Sequence, residues 1–180
     1  NSMQSDDRIS QVRNLVATMF RSVESIPQVK ILANVWSSDL LGNVGITPVR
    51  TEEECNRINT DSEDMCLTPT HEALKYSAKQ LAKYSGKKLL IMITDGYPQY
   101  WKDAKEFSEQ VLVNLTMKEY RKAQRYCRNI MCINVSSDAT SRENLKRIFK
   151  KNYVEFPGME RASEFVLKNF RKTVNATLRR

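Results

Sequence analysis

The sequence predicts an α/β fold, a mostly parallel central sheet with helices on both faces. Three observations carry that expectation. The hydrophobic period switches repeatedly along the chain between helical spacing and short strand-like runs. Two of those runs, Leu89-Leu90-Ile91-Met92-Ile93 and residues 130–135, are almost continuously apolar, as in parallel strands covered on both faces. No internal repeat, low-complexity tract or proline-rich linker divides the 180 residues, so a single domain over 1–180 is expected.

Taken in order, Ile9, Val12, Leu15, Val16, Met19, Phe20 and Val23 share one face of a first helix. Pro27 separates it from a strand over 29–36. Gly42, Gly45 and Pro48 punctuate a short hairpin partner over 44–49. The polar stretch 59–65 reads as loop. A helix over 70–84 follows, with Leu74, Ala78 and Leu81 inward and Gly86 as its stop signal. After the apolar run at 89–93 come a loop, a long helix over about 104–126, and the strand at 130–135. Asp138 or Thr140 is placed to cap the helix carrying Leu145 and Ile148. A short strand at 153–156 is broken by Pro157-Gly158, and a last helix spans about 159–178.

Composition excludes several classes. Hydrophobic residues make up 41% and charged residues 28%, an ordinary balance for a packed domain rather than a disordered one. No window approaches the roughly 18 apolar residues of a membrane span. The opening Asn1-Ser2-Met3-Gln4-Ser5-Asp6-Asp7 has no signal-peptide character. Cys55, Cys66, Cys127 and Cys132 form neither a CxxC pair nor a zinc spacing. Free thiols in a reducing compartment are expected, hence a cytoplasmic location.

The net charge of +8 raises nucleic acid as a partner. Lys118, Arg121, Lys122, Arg125 and Arg128 recur at helical spacing, and Lys146, Arg147, Lys150 and Lys151 form a second cluster. With no nucleic-acid-binding motif beside them, a solvated helix face is the favoured reading. Enzyme classes find little support. A single histidine, His71, without GxSxG argues against a hydrolase. Without GxxxxGK[ST] or GxGxxG there is no phosphate-cradling loop.

In parallel sheets, function gathers where strands end and loops lead into helices. Three segments occupy such places: Asn1-Ser2-Met3 before the first helix, Leu67-Thr68-Pro69-Thr70-His71-Glu72-Ala73-Leu74 at the second, and Thr94-Asp95-Gly96-Tyr97-Pro98 after the apolar strand. Each is weak alone; their order and spacing make the set specific. It resembles the metal-ion-dependent adhesion site (MIDAS) of von Willebrand factor A (VWA) domains, along essentially the whole chain. In that family the first strand ends in Asp-x-Ser-x-Ser, a Thr comes from a second loop and an Asp from a third. Ser2, Thr68 and Asp95 match the last serine, the threonine and the aspartate. Glu72-Ala73-Leu74, the segment 87–96 and Pro98 look most like the VWA subunits that work with MoxR-type AAA+ ATPases, such as those of cobalt chelatase and the nitric-oxide-reductase activation protein.

The resemblance implies a Rossmann-like VWA fold and a non-catalytic protein-binding module. It implies Mg²⁺ (or Mn²⁺ or Ca²⁺) held by Ser2, Thr68 and Asp95, with a partner's Asp or Glu completing the shell. Mg²⁺ prefers six oxygen ligands and retains waters, so hydroxyl ligands suit it and leave it electrophilic. Around the site, Tyr97, Tyr100, Trp101 and His71 are candidate partner contacts. For His71 the competing reading is an exposed first-turn residue; for the aromatics, packing against a neighbouring loop. Asp95 and Thr68 also have readings as turn or helix caps, and Trp36 reads as core. The chain departs from the family in one respect. The first strand and its Asp-x-Ser have no counterpart in these residues, so an N-terminally incomplete domain is expected, with an expression-tag remnant as the competing origin of Asn1-Ser2-Met3.

Overall fold

The computed structural model describes residues 8–58, 67–94, 96, 98–103, 105–136 and 138–155, together with Glu164, Lys168 and Arg171. Helix α1 (Arg8–Val23) leads into an antiparallel hairpin of β1 (Ala33–Ser38) and β2 (Val44–Val49). Then come a short 3-10 turn (Glu53–Arg57), α2 (Thr70–Ala82) and β3 (Leu89–Thr94). A small antiparallel pair, β4 (Trp101–Lys102) and β5 (Lys105–Glu106), precedes α3 (Glu109–Tyr126). The rest is β6 (Asn129–Asn134), α4 (Ala139–Phe149) and β7 (Tyr153–Glu155).

Strands β3, β6 and β7 form a parallel sheet in that order, with Leu89 opposite Asn129 and Cys132 opposite Tyr153. The strand period of two then sorts the side chains into layers. Leu90, Met92, Ile130 and Cys132 face α2, α3 and α4, where Leu74, Val113, Leu145, Ile148 and Phe149 are nearly or wholly buried. Ile91, Ile93, Met131 and Ile133 face the other way, against Leu15 and Met19 of α1. Helices therefore cover both faces of a parallel sheet, as the alternating pattern predicts. A third cluster, Val49, Cys55 and Ile58, packs beneath Val16, Phe20 and Val35.

Several boundaries differ from the sequence expectation. Strand β1 starts at Ala33 and ends at Ser38, shifted from 29–36, because residues 26–29 are spent on turns: Ile26 and Val29 donate to the carbonyls of Val23 and Ile26. The long third helix starts at Glu109 rather than near 104, since the β4–β5 pair takes the intervening residues. The β1–β2 turn is organised by Asp39, whose Oδ1 accepts from the amides of Leu41 and Asn43 at 2.9 and 2.8 Å. Asp138 caps α4 as expected, accepting from the Ser141 amide at 2.6 Å. The predicted loop 59–65, residue Phe156 and most of the last predicted helix lie outside the described residues; Glu164, Lys168 and Arg171 are helical and exposed. Among the described residues no helix is long and apolar enough to cross a membrane.

Candidate functional site

The carboxyl ends of β1, β3 and β6 lie at one edge of the molecule, and backbone hydrogen bonds lock their loops together. The amide of Ser38, last residue of β1, donates to the Leu67 carbonyl at 3.2 Å, and the Leu67 amide returns a bond to Ser38 at 3.1 Å. The Thr68 carbonyl accepts from the Gln99 amide at 2.9 Å, joining the loop before α2 to the loop after β3. Val135 donates to the Thr94 carbonyl at 2.8 Å, which extends the connection to β6. Thr94 stiffens the β3 loop itself: its buried hydroxyl donates to the Gly96 carbonyl at 3.1 Å.

Within this frame the Thr68 hydroxyl faces Gly96. A Cβ placed on that glycine would stand 3.6 Å from Thr68 Oγ1. The residue before Gly96 is Asp95, so two of the three sequence-predicted loops converge. Ser2, Asp95 and Tyr97 lie outside the described residues. Thr68 is not the cap of α2; Pro69 holds the cap position, without a side-chain hydrogen bond. At the end of β1, on the strand residue that pairs with Leu67, sits a hydroxyl that the sequence does not single out. Ser38 is 0% exposed, and its Oγ has no hydrogen-bond partner among the described residues. A buried hydroxyl left without a partner costs on the order of 1–3 kcal/mol, so it marks a place that polar matter is fitted to fill. Its sequence signal was the polar pair Ser37-Ser38 closing an otherwise mixed strand.

His71, read as an exposed first-turn residue, is buried at 6% exposure and meets the Tyr100 ring edge-on at 5.0 Å. Burial holds its imidazole below the ordinary value, with Glu72 opposing that shift. Tyr100 in turn contacts Phe107 at 5.6 Å and donates its hydroxyl to the Gly42 carbonyl at 3.0 Å. Tyr100 therefore follows the packing alternative, against the hairpin loop. Burial also lifts the Tyr100 phenol, so it remains a protonated donor at neutral pH. Trp101 is half-buried in β4. Trp36 packs against the main core, as expected, although its Nε1 is another buried atom with no partner among the described residues.

The donor set can be tested against a divalent cation. Among the described residues, no group of three or more His, Cys, Asp or Glu side chains could hold a metal. That rules out a thiolate or imidazole centre there, but a hydroxyl-rich set is of another kind. The Thr68 hydroxyl, facing Gly96, is a hard-oxygen donor of the sort Mg²⁺ takes. Of the three candidate ligands Thr68 is the one among the described residues, and its hydroxyl suits such an ion. The basic residues Lys118, Arg121, Lys122, Arg125 and Arg128 are all exposed on or beside α3. Among the described residues Cys55, Cys127 and Cys132 are free thiols, with burial raising each thiol pKa, most strongly at Cys132, while Cys66 lies outside the described residues.

No family model matches the chain, and no curated protein matches it. Among solved structures, the chain is similar to the pilus adhesin SpaC from Lactobacillus rhamnosus GG in its open conformation. The match has a TM-score of 0.69 at 13% identity and covers 98% of this chain. A second structure of the same adhesin gives a TM-score of 0.68 at 14% identity. The chain spans 29% of the adhesin's length. At this identity the likeness concerns the fold: a mixed α/β domain with a parallel sheet flanked by helices.

Proposed function

We propose that this chain is a VWA-type binding module that grips a protein partner through a divalent cation at the carboxyl ends of its strands. Ser2, Thr68 and Asp95 would hold the ion, Mg²⁺ by preference, with Mn²⁺ or Ca²⁺ as substitutes. The observation that carries the reading is the Thr68 hydroxyl turned toward the backbone that follows Asp95. When bound, the ion supplies a Lewis-acidic position that an acidic side chain of the partner can fill. Thr68 contributes a neutral oxygen, which leaves the ion's charge available to that carboxylate. The Thr68–Gln99 hydrogen bond keeps the two loops in register before any ion arrives. Trp101 would meet the partner at the rim, while Tyr100, packed edge-on against His71, holds the loop to the hairpin. That the fold neighbour is an adhesin fits a binding role. A MoxR-type AAA+ ATPase is the partner class suggested by the sequence likeness.

Calorimetric titration with Mn²⁺ alone tests the site. A single saturable binding event, lost in Asp95→Ala while the melting temperature of the metal-free chain is retained, is the expected result. If Asp95→Ala binds Mn²⁺ as the parent does, the site is elsewhere. The exposed basic face of α3 supports a second reading, binding to nucleic acid. Titration with a mixed-sequence DNA duplex separates the two, since such binding weakens steeply with salt and is indifferent to EDTA.

A further inference from the structure

The two ends of the parallel sheet differ in charge. Each of its strands is entered from a helix, α2 into β3, α3 into β6 and α4 into β7. The three connections therefore gather at the amino ends of the strands, opposite the candidate metal site. Residues 79–88 carry Lys79, Lys83, Lys87 and Lys88 and no Asp or Glu. Residues 120–129 carry Arg121, Lys122, Arg125 and Arg128, again without an acid. Residues 144–152 repeat the pattern with Lys146, Arg147, Lys150 and Lys151. The acids Asp103, Glu106, Glu109, Asp138 and Glu155 stand at the other end, in loops that follow strands or at helix starts.

The three segments are tied to one another. Leu89 pairs with Asn129, which sets Lys88 and Arg128 level with each other, just ahead of strands spaced about 4.8 Å apart. Asn152 donates to the Tyr120 hydroxyl at 2.7 Å, and Phe149 meets the Tyr120 ring edge-on at 5.0 Å. These contacts bring Lys151 to the part of α3 that carries Arg121. Lys122 and Lys146 have acidic partners in Glu119 and Glu155. Arg121, Arg125, Arg128, Lys150 and Lys151 are exposed and have no acidic partner among the described residues. The partial negative charge at a helix C-terminus favours cations in the last turn, which accounts for Lys79, Arg125, Lys146 and Arg147. Lys88, Arg128 and Lys151 lie past the helices, where that account ends. Like charges crowded in this way repel one another in the free chain, and a polyanion relieves the repulsion. Amid them Tyr126, the last residue of α3, is 50% exposed.

We propose that the amino ends of β3, β6 and β7 form a binding surface for single-stranded nucleic acid, with Lys88, Arg128, Lys150 and Lys151 on phosphates and Tyr126 stacked on a base. The occupant follows from charge and shape. Phosphates repeated along a strand match cations spread over three adjoining segments, and each contact releases a counterion. A solvated tyrosine ring among cations is how single strands are held without sequence preference, because every base offers a π-face. In a duplex those faces are stacked away. Groove reading needs an element that enters the groove, and this surface, built from the turns between helices and strands, presents no projecting helix among the described residues. The inference rests on the nucleic-acid reading of α3, to which it gives a location and a strand state. It is independent of the cation, whose site lies at the opposite ends of the strands.

The test is fluorescence anisotropy in EDTA with labelled oligo(dT) and oligo(U) of about 16 nucleotides, beside a mixed-sequence DNA duplex and phosphatidylserine vesicles. The expected result is tighter binding to a single strand than to the duplex, the preferred oligomer telling DNA from RNA. Affinity should fall with salt at a logarithmic slope of about 3, as for four phosphates on a single strand. Arg128→Gln combined with Lys151→Gln should weaken binding about tenfold or more. Lys102→Gln combined with Lys105→Gln, an equal loss of charge at the opposite end, should leave it unchanged. Tyr126→Ala should cost about tenfold and Tyr126→Phe little, with melting temperatures confirming that each variant is folded. Equal weakening by the Lys102 and Lys105 pair overturns the proposal, since net charge alone would then be at work. A duplex bound as tightly as the single strands, with Tyr126→Ala neutral, overturns it and leaves the α3 reading standing. Binding to no nucleic acid at low salt, or to the vesicles alone, overturns both.

Discussion

The Tyr100 hydroxyl reaches 58 residues back along the chain to donate to the Gly42 carbonyl. This bond fastens the loop after β3 to the tip of the β1–β2 hairpin. Gly42 has φ +93, and a Cβ there would stand 2.9 Å from the Trp101 carbonyl oxygen and 3.0 Å from the Tyr100 hydroxyl. Only glycine permits both the backbone angle and the approach. Asp103 adds a further tie by donating to the Leu41 carbonyl at 3.2 Å. The loop after β3 is thus held by side-chain and backbone contacts to a hairpin far away in sequence.

Gly42→Ala is expected to destabilise the domain by about 2 kcal/mol or more, since backbone strain and overlap add at one position. Tyr100→Phe, which removes only the hydroxyl, should cost about 1 kcal/mol. Urea denaturation of both variants checks the order; equal losses would mean that the close approach at Gly42 relaxes freely.

Thr68→Val keeps the shape of the side chain and removes its oxygen. Mn²⁺ affinity is expected to fall about tenfold or more, by analogy with losses at metal-site partners, with little change in metal-free stability. Calorimetry on the variant gives the first quantity and thermal melting the second.

His71 supplies a pH dependence. Its folded-state pKa is lowered by burial from 6.5. Below pH 6.5 the unfolded chain therefore takes up a proton that the folded chain resists. Stability falls as the pH drops from 6.5 toward the folded-state value, and is regained on raising it. His71→Phe should flatten the stability profile in that window; an unchanged slope would place its origin in other groups.

Asp138 behaves in the opposite sense. The Ser141 amide holds its carboxyl below the ordinary 3.8. Its capping contribution is present above that value and is lost as the pH falls through the folded-state pKa. Asp138→Ala should lower the melting temperature at pH 7 and converge with the parent in strong acid, whereas Asp138→Asn should retain most of the cap at pH 7.

In the core, Leu145 is wholly buried among α3, α4 and the parallel sheet. Leu145→Ala should cost about 2–5 kcal/mol. Tyr120→Phe should cost about 1 kcal/mol, because the phenol accepts from Asn152 at 2.7 Å and from Gln124 at 3.1 Å. Chemical denaturation distinguishes the two magnitudes.

The sequence by itself determined the alternation of helices and strands, the parallel character of the sheet and a cap at Asp138 or Thr140, of which the structure uses Asp138. Hydrophobic period and capping chemistry act over a few residues, so they can be read along the chain. Only the tertiary structure decided where β1 begins, that β4 and β5 shorten the third helix, and that His71 is buried under Tyr100. Those outcomes depend on contacts between residues far apart in sequence, such as Tyr100 with Gly42 and Thr68 with Gln99. For the candidate site, the sequence named Thr68 by its match to a motif threonine ahead of a helix, while the fold turned its hydroxyl toward Gly96 and buried the Ser38 hydroxyl with no partner among the described residues. The pairing of β3 belongs to the same class: composition says that a strand is buried on its faces, but only its neighbours in space determine whether its backbone is paired.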